Sequence, residues 1–252
     1  MVCGMTYCLA MSLDDGLVFC ADSRTNAGAD RVSTYSKMHR FSFPRDRVLV
    51  LLSSGNLATS QAVLAQIERD LESSAEVNLK SGDYVSDIAD YVGELLVKEK
   101  TKYSKPSGPD AGLDASATFI LGGQIGEHAP ELYMIYPEGN HITASKSQPY
   151  LQIGETKYGK PILDRIIRSD THYVTAMTCG IVSLDSTMRS NATVGPPLEC
   201  LFYARDSLEP HCRYFKLDEN HPYLAKIRES WDANVRMAFD QLPNLDQVFA
   251  NE

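Results

Sequence analysis

The sequence predicts an α+β fold, a four-layer αββα sandwich of two antiparallel sheets, and three observations carry that expectation. Strand and helix patterns come in blocks, strands then two helices, strands then two helices, strands and a last helix, and not in strict alternation. One segment, Val48 to Ser53, is apolar almost throughout and reads as a strand buried on both faces. The helical segments each carry one apolar face, so two stacked sheets between helical layers would bury every face.

The elements follow in order. Residues 6 to 12 and 16 to 22 are apolar segments joined by Asp14-Asp15-Gly16, which is hairpin chemistry. Further strands are expected near Val32 to Phe41 and at Val48 to Ser53. The period then changes. Leu57, Leu64, Ile67 and Leu71 share one helical face, as do Val85, Ile88, Val92 and Leu95. Tyr103 to Gly112, with Pro106, Gly108 and Pro109, is a loop by composition. Strands resume at Ala115 to Gly123 and Leu132 to Tyr136, followed by helices at Thr156 to Ile167 and through Val174, Met177, Ile181, Leu184 and Met188. Strands Leu198 to Ala204 and Cys212 to Leu217 precede a helix carrying Leu224, Ile227, Trp231 and Val235. The expected division is a leader at 1–5, one domain at 6–242 and a short polar tail at 243–252.

Composition narrows the function. The 252 residues are 43% hydrophobic and 23% charged, which fits one large folded domain. With 24 Lys and Arg against 33 Asp and Glu, the formal charge is −9, which disfavours nucleic acid and anionic membranes. No apolar run approaches the roughly 20 residues that cross a bilayer, and no signal peptide precedes the first strand, so a cytoplasmic location is expected. Six cysteines form no CxxC pair and read as small buried hydrophobes, and six scattered histidines show no HxxxH or HxH, so neither a metal site nor any cofactor is expected. Lys98, Lys100, Lys102 and Lys105 gather at a helix end, where cations suit the dipole.

Thr6 stands directly before the first strand, after Met5. A chain beginning at Thr6 would carry its own base, because a free α-amine with a pKa of about 7.7 to 8.0 accepts a proton near neutrality beside the hydroxyl it must activate. The alternative is a β-branched residue that merely starts a strand. Asp22 and Lys37 weigh against that alternative: they follow Thr6 by 16 and 31 positions, and the hairpin returns Asp22 to Thr6. A lysine there would lower the pKa of hydroxyl and amine, with Asp22 orienting it. Gly55, at a strand-to-helix turn, would present backbone N–H groups to developing negative charge, a contribution on the order of 3 kcal/mol to barrier lowering. Thr25, Asn26, Ala27 and Ser53 are small residues placed to wall a substrate pocket.

The run Thr6-Tyr7, Ala21-Asp22-Ser23-Arg24, Ala27-Gly28 and Lys37 resembles the N-terminal third of proteasome β-subunits. The phrase Asp22-Ser23-Arg24-Thr25-Asn26-Ala27-Gly28, with Ser33-Thr34-Tyr35, Lys37-Met38-His39 and Asp185-Ser186-Thr187-Met188-Arg189-Ser190-Asn191, most closely resembles the bacterial Anbu proteins, or ancestral β-subunits. The resemblance implies an N-terminal-nucleophile (Ntn) hydrolase fold, self-assembly into an open or closed ring, and hydrolysis of amide bonds in peptide or protein substrates. It assigns Thr6 as nucleophile, Lys37 as the pKa-lowering cation, Asp22 as its partner and Gly55 as oxyanion donor. It also assigns Asp185 and Ser190 as supports of the amine, at a spacing of 5 that is longer than usual, so both need not face the site. Glu155 stands where the family has a serine, and at a helix start it reads as a dipole partner.

Two further readings keep the fold. One moves the nucleophile to Cys3, as in glutamine amidotransferase domains; the other is a non-catalytic ring subunit that docks partners. Thr6 becomes terminal either by translation from Met5 and removal of that methionine, or by autocatalytic cleavage after Met5. Subunit number and any unfoldase partner are outside what one sequence carries.

Overall fold

The computed structural model describes residues 6–26, 32–103, 114–209 and 213–245. Among these residues the chain forms twelve strands and five helices, in α+β order. Strands β1 (Tyr7–Leu13) and β2 (Gly16–Ala21) make the expected hairpin, and β3 (Arg24–Asn26) pairs with β4 (Val32–Thr34) as a short ribbon. Next come β5 (Met38–Phe43), β6 (Arg47–Gly55), α1 (Leu57–Glu72) and α2 (Val85–Tyr103). The middle of the chain holds β7 (Ala117–Ile125), β8 (Glu131–Ile135), β9 (His141–Thr143) and β10 (Tyr150–Gly154). Helices α3 (Lys160–Ile166) and α4 (Tyr173–Ser190), strands β11 (Leu198–Ala204) and β12 (Arg213–Leu217), and α5 (Pro222–Asp240) complete it.

Two five-stranded antiparallel sheets result, ordered β10-β1-β2-β11-β12 and β5-β6-β7-β8-β9. Strand alternation sorts their side chains into three apolar clusters. In the first sheet Tyr7, Leu9, Met11, Val18, Cys20, Cys200 and Phe202 pack with Leu163 of α3 and Met177, Ile181 and Leu184 of α4. In the second, Leu49, Leu51, Phe119 and Leu121 pack with Val63 and Ile67 of α1 and Ile88 and Val92 of α2. The opposite faces meet each other: Cys8, Ala10, Leu17 and Phe19 from one sheet lie against Val48, Val50, Leu52 and Ile120 from the other. Burying one fully enclosed Leu or Phe contributes about 1.5 to 3 kcal/mol, so these clusters dominate the stability.

Several segments differ from the sequence expectation, among them the short strands β3 and β9, which it did not include. The strand expected over 32 to 41 divides into β4 and β5, because the Ser36 hydroxyl accepts from the Met38 N–H at 3.4 Å and closes a local turn around Lys37. The helix expected from Thr156 begins at Lys160, where Pro161 fills a first-turn position. Strand β10 was not anticipated, since it is short and Gln152 interrupts its apolar pattern. The loop expected at Tyr103 to Gly112 lies almost wholly outside the described residues, as does Cys212. Cys8, Cys20, Cys179 and Cys200 are buried free thiols. No helix among the described residues is long and apolar enough to cross a membrane.

Candidate active site

Thr6 lies just ahead of β1 and is 7% exposed. Strand β10 fixes its carbonyl: Gly154 pairs with Tyr7, and the Glu155 N–H donates to Thr6 O at 2.7 Å. Gly154 has φ +86°, and a Cβ there would lie 1.8 Å from Thr6 O. Only glycine permits both that backbone and that approach.

The hairpin carries Asp22 to the same place. Asp22 N–H donates to Tyr7 O at 3.2 Å, and Tyr7 N–H donates to Asp22 Oδ1 at 3.1 Å. The carboxylate is fully buried. Its Oδ1 also accepts from Lys37 Nζ at 2.6 Å, while Oδ2 accepts from the N–H groups of Arg24 at 3.2 Å and Gly195 at 3.1 Å. Four donors occupy the four acceptor positions of a carboxylate. Burial pushes the Asp22 carboxyl above its ordinary range, and the Lys37 ammonium, followed by the backbone donors, pulls against that. Lys37, 6% exposed, gives a second hydrogen to Arg24 O at 2.7 Å, and its third has no partner among the described residues. A lysine and an aspartate this buried are stable as charges only because they are paired.

The end of β6 lies over the start of β1. Cys8 Sγ donates to Ser53 O at 3.7 Å, and Ser53 N–H donates to Lys37 O at 3.0 Å. Two residues on, Gly55 has φ +95°, and a Cβ there would lie 2.5 Å from Ser116 O. Asn56 then caps α1, its side chain accepting from Thr59 N–H at 3.1 Å. Thr25 and Asn26 lie in β3; Thr25 Oγ1 is buried with no hydrogen-bond partner among the described residues. Ala27 and Cys3 fall outside the described residues.

Helix α4 divides its residues between two faces. Ser183 faces β1, its Oγ 2.8 Å from the Tyr7 hydroxyl. Asp185, two residues on, turns the other way: Oδ1 accepts from Arg228 of α5 at 2.7 Å, and Oδ2 lies 3.4 Å from Arg189. Asp185 is thus engaged by an ion pair with α5, and no hydrogen bond joins it to Thr6 among the described residues. Ser190 is an exposed residue of the last turn.

Residues 191–195, after α4, make the contacts instead. Gly195 holds Asp22 Oδ2 and accepts from the N–H groups of Ser23 and Arg24 at 3.2 Å each. Asn191 donates to Glu155 Oε2 at 3.1 Å. Glu155 itself is buried five residues before α3, so it is tied to Asn191 and Thr6 and is not a partner of that helix dipole. Glu199, on β11, is a further buried carboxylate beside this cluster. Sequence reading missed Gly195 and Glu199. Their signals were a glycine followed by Pro196-Pro197 and an acid inside the otherwise apolar Leu198 to Ala204.

Comparison with protein-family models gave no match, and comparison with curated proteins gave none either. Solved structures did match. The chain is 42% identical to Anbu (ancestral beta-subunit) from Yersinia bercovieri, with TM-score 0.88, covering 95% of this chain and 98% of that one. It is 43% identical to the chain in a helical assembly of the Anbu complex from Pseudomonas aeruginosa, with TM-score 0.88 over 95% and 98% of the two chains. Anbu from Hyphomicrobium sp. strain MC1 is 38% identical, with TM-score 0.86 over 95% of this chain and 99% of that chain.

Proposed function

The chain belongs to the Anbu, or ancestral β-subunit, family of proteasome-like proteins, and on that premise we propose that it is a threonine-type amidohydrolase acting on peptide bonds. The fold would be the four-layer αββα sandwich of the Ntn hydrolases, a reading supported by the three apolar clusters that join helices to sheet, sheet to sheet and sheet to helices. Residues 6–242 would form its single domain, with 243–252 as a tail and 1–5 as a leader to be removed.

The observation that carries the proposal is the buried Asp22–Lys37 pair, hydrogen-bonded to the backbone one residue from Thr6. Once Thr6 is terminal, its Oγ attacks the carbonyl carbon of the scissile bond while its proton passes to the α-amine. The same proton is delivered to the leaving nitrogen, leaving an ester on Oγ that water then hydrolyses. The free donor of Lys37 stabilises negative charge developing on Oγ, and Asp22 holds that ammonium in place. Gly55, whose backbone is set at φ +95° at the end of β6, supplies an N–H to the oxyanion. Thr25, Asn26, Ala27 and Ser53 wall the substrate.

Assembly into an open or closed ring is part of the same proposal, because helical assembly is recorded for the similar protein of Pseudomonas aeruginosa. The far half of α5 and the residues after it expose Met237 at 58%, Phe239 at 71%, Leu242 at 60% and Leu245 at 65%, an apolar surface suited to a neighbouring subunit. The buried free thiols fit a cytoplasmic protein.

Intact mass is the direct test. A species beginning at Thr6 should react with an electrophile directed at N-terminal threonine, and Thr6→Ala should abolish labelling while leaving assembly unchanged. Protein that always retains residues 1–5 would sink the hydrolase reading and leave a ring scaffold. Labelling that survives Thr6→Ala would move the nucleophile to Cys3 or elsewhere.

A further inference from the structure

Glu199 is 1% exposed and has no part in the chemistry described above. Its Oε2 accepts from two hydroxyls, Ser36 at 2.6 Å and Ser23 at 3.3 Å. Ser23 is the residue after Asp22, and Ser36 is the residue before Lys37. Oε1 accepts from the Tyr214 hydroxyl at 2.5 Å and from Lys216 Nζ at 3.1 Å, both on β12. Ser36 Oγ also accepts the Met38 N–H, so one serine spans Lys37 and passes its hydrogen to Glu199.

The geometry points to Glu199 as a positioning residue, which clamps the chain beside Asp22 and the chain beside Lys37 to one carboxylate and so sets how the ammonium is presented to Thr6. The inference rests on the reading of Thr6 as nucleophile. Asp22 and Lys37 lie on separate segments, and the 2.6 Å contact between them does not by itself fix where either segment sits. Glu199 ties both segments to β11, and Tyr214 and Lys216 anchor it from the far side. Arg40 of β5 stacks over the Tyr214 ring at 4.0 Å, so the anchor reaches the second sheet as well.

Burying a carboxylate is costly unless its acceptors are filled; burial raises the Glu199 carboxyl, but hydrogen bonds from Ser36, Tyr214 and Lys216 together outweigh it and hold the group below the usual glutamate range. It is therefore ionised near neutral pH. Among the described residues, His39, which burial holds below its usual range, and the Cys8 thiol, which burial raises, also feel its charge.

The test uses full-length protein with Thr6 exposed, and follows the pH dependence of labelling by the threonine-directed electrophile. Glu199→Gln, and separately the double variant Ser23→Ala with Ser36→Ala, should lower the saturating rate by between about 10- and 100-fold, because a small misplacement of a catalytic group has that effect. The half-saturating concentration should stay within about twofold, since the substrate walls are untouched. Ser36→Thr, which keeps the hydroxyl, should label faster than Ser36→Ala. If Glu199→Gln does not fold, the double variant decides alone, because it removes two hydroxyls only. Parent rate and pH profile in the folded variants would overturn the clamp while leaving the hydrolase standing. A parent that is never labelled at Thr6 would overturn the hydrolase and the clamp with it.

Discussion

The two sheets are built in opposite ways. The sheet β5-β6-β7-β8-β9 is a meander whose spatial order is its chain order, whereas β10-β1-β2-β11-β12 takes strands from the start, the middle and the end of the chain. Thr6 and Asp22 flank strands of the second kind, together with Gly154, Gly195 and Glu199. The meander contributes Gly55 and the segment entering β5. Apart from β6–β7, which are joined through α1 and α2, the meander pairs strands that are close in sequence and cheap in loop entropy, while the composite sheet joins β1 to β10 and β2 to β11 across most of the chain. The difference implies that disturbance of the composite sheet is felt throughout the site, and that disturbance of the meander is felt there only where Ser53, Gly55 and the segment carrying Lys37 reach it.

The largest contrast should come from two lysines. Lys37→Ala leaves the Asp22 carboxylate buried without its cation, and is expected to cost about 3 to 5 kcal/mol of unfolding free energy. Lys100→Ala, over the meander, breaks a pair with Glu138 at 3.3 Å that is largely exposed, and is expected to cost about 0.5 kcal/mol. Denaturant titration measures both, and equal losses would erase the distinction.

A pair of glycines sharpens it. Both are left-handed, at φ +86° for Gly154 and φ +52° for Gly126, but a Cβ at Gly126 meets nothing within 4 Å. Gly126→Ala should therefore cost the backbone term alone, about 1 to 2 kcal/mol. Gly154→Ala adds overlap with Thr6 O, for about 3 kcal/mol or more, and should also abolish labelling of Thr6.

The smallest effect separates charge from shape at Glu199. Its folded pKa is depressed, so its stabilising contribution is present above the ordinary glutamate value of about 4.3 and is lost as the pH falls through the lowered value. The melting-temperature gap between the parent and Glu199→Gln should be widest near neutrality and close in acid. A gap independent of pH would mean that the carboxylate acts by shape alone.

The same contrast explains what sequence reading could see. Thr6, Asp22 and the strands around them were legible because a hairpin is local and its register follows from one turn. The helices announced themselves by their apolar faces. Glu155 was misassigned to a helix dipole because β10, which carries it to Thr6, has no clear alternation. The partners of α4 were not legible, because a linear motif does not record which element each face of the helix meets; Ser183 meets β1 and Asp185 meets α5. Gly195 and Glu199 reach Asp22 and Ser23 from 173 and 176 positions away, a separation that only tertiary pairing reveals.

That separation has a consequence for synthesis. The last donor to Asp22 comes from Gly195, so the nascent chain must grow by 173 residues after Asp22 before the carboxylate is fully held. At about 5 to 20 residues per second this takes on the order of 10 to 35 s. Through that interval the ribosome carries Thr6 without its completed electrostatic partners. On the proposed reading of Thr6, a group that would cut amide bonds is thus kept inert beside other nascent chains until the first 195 of its 252 residues are present to enclose it.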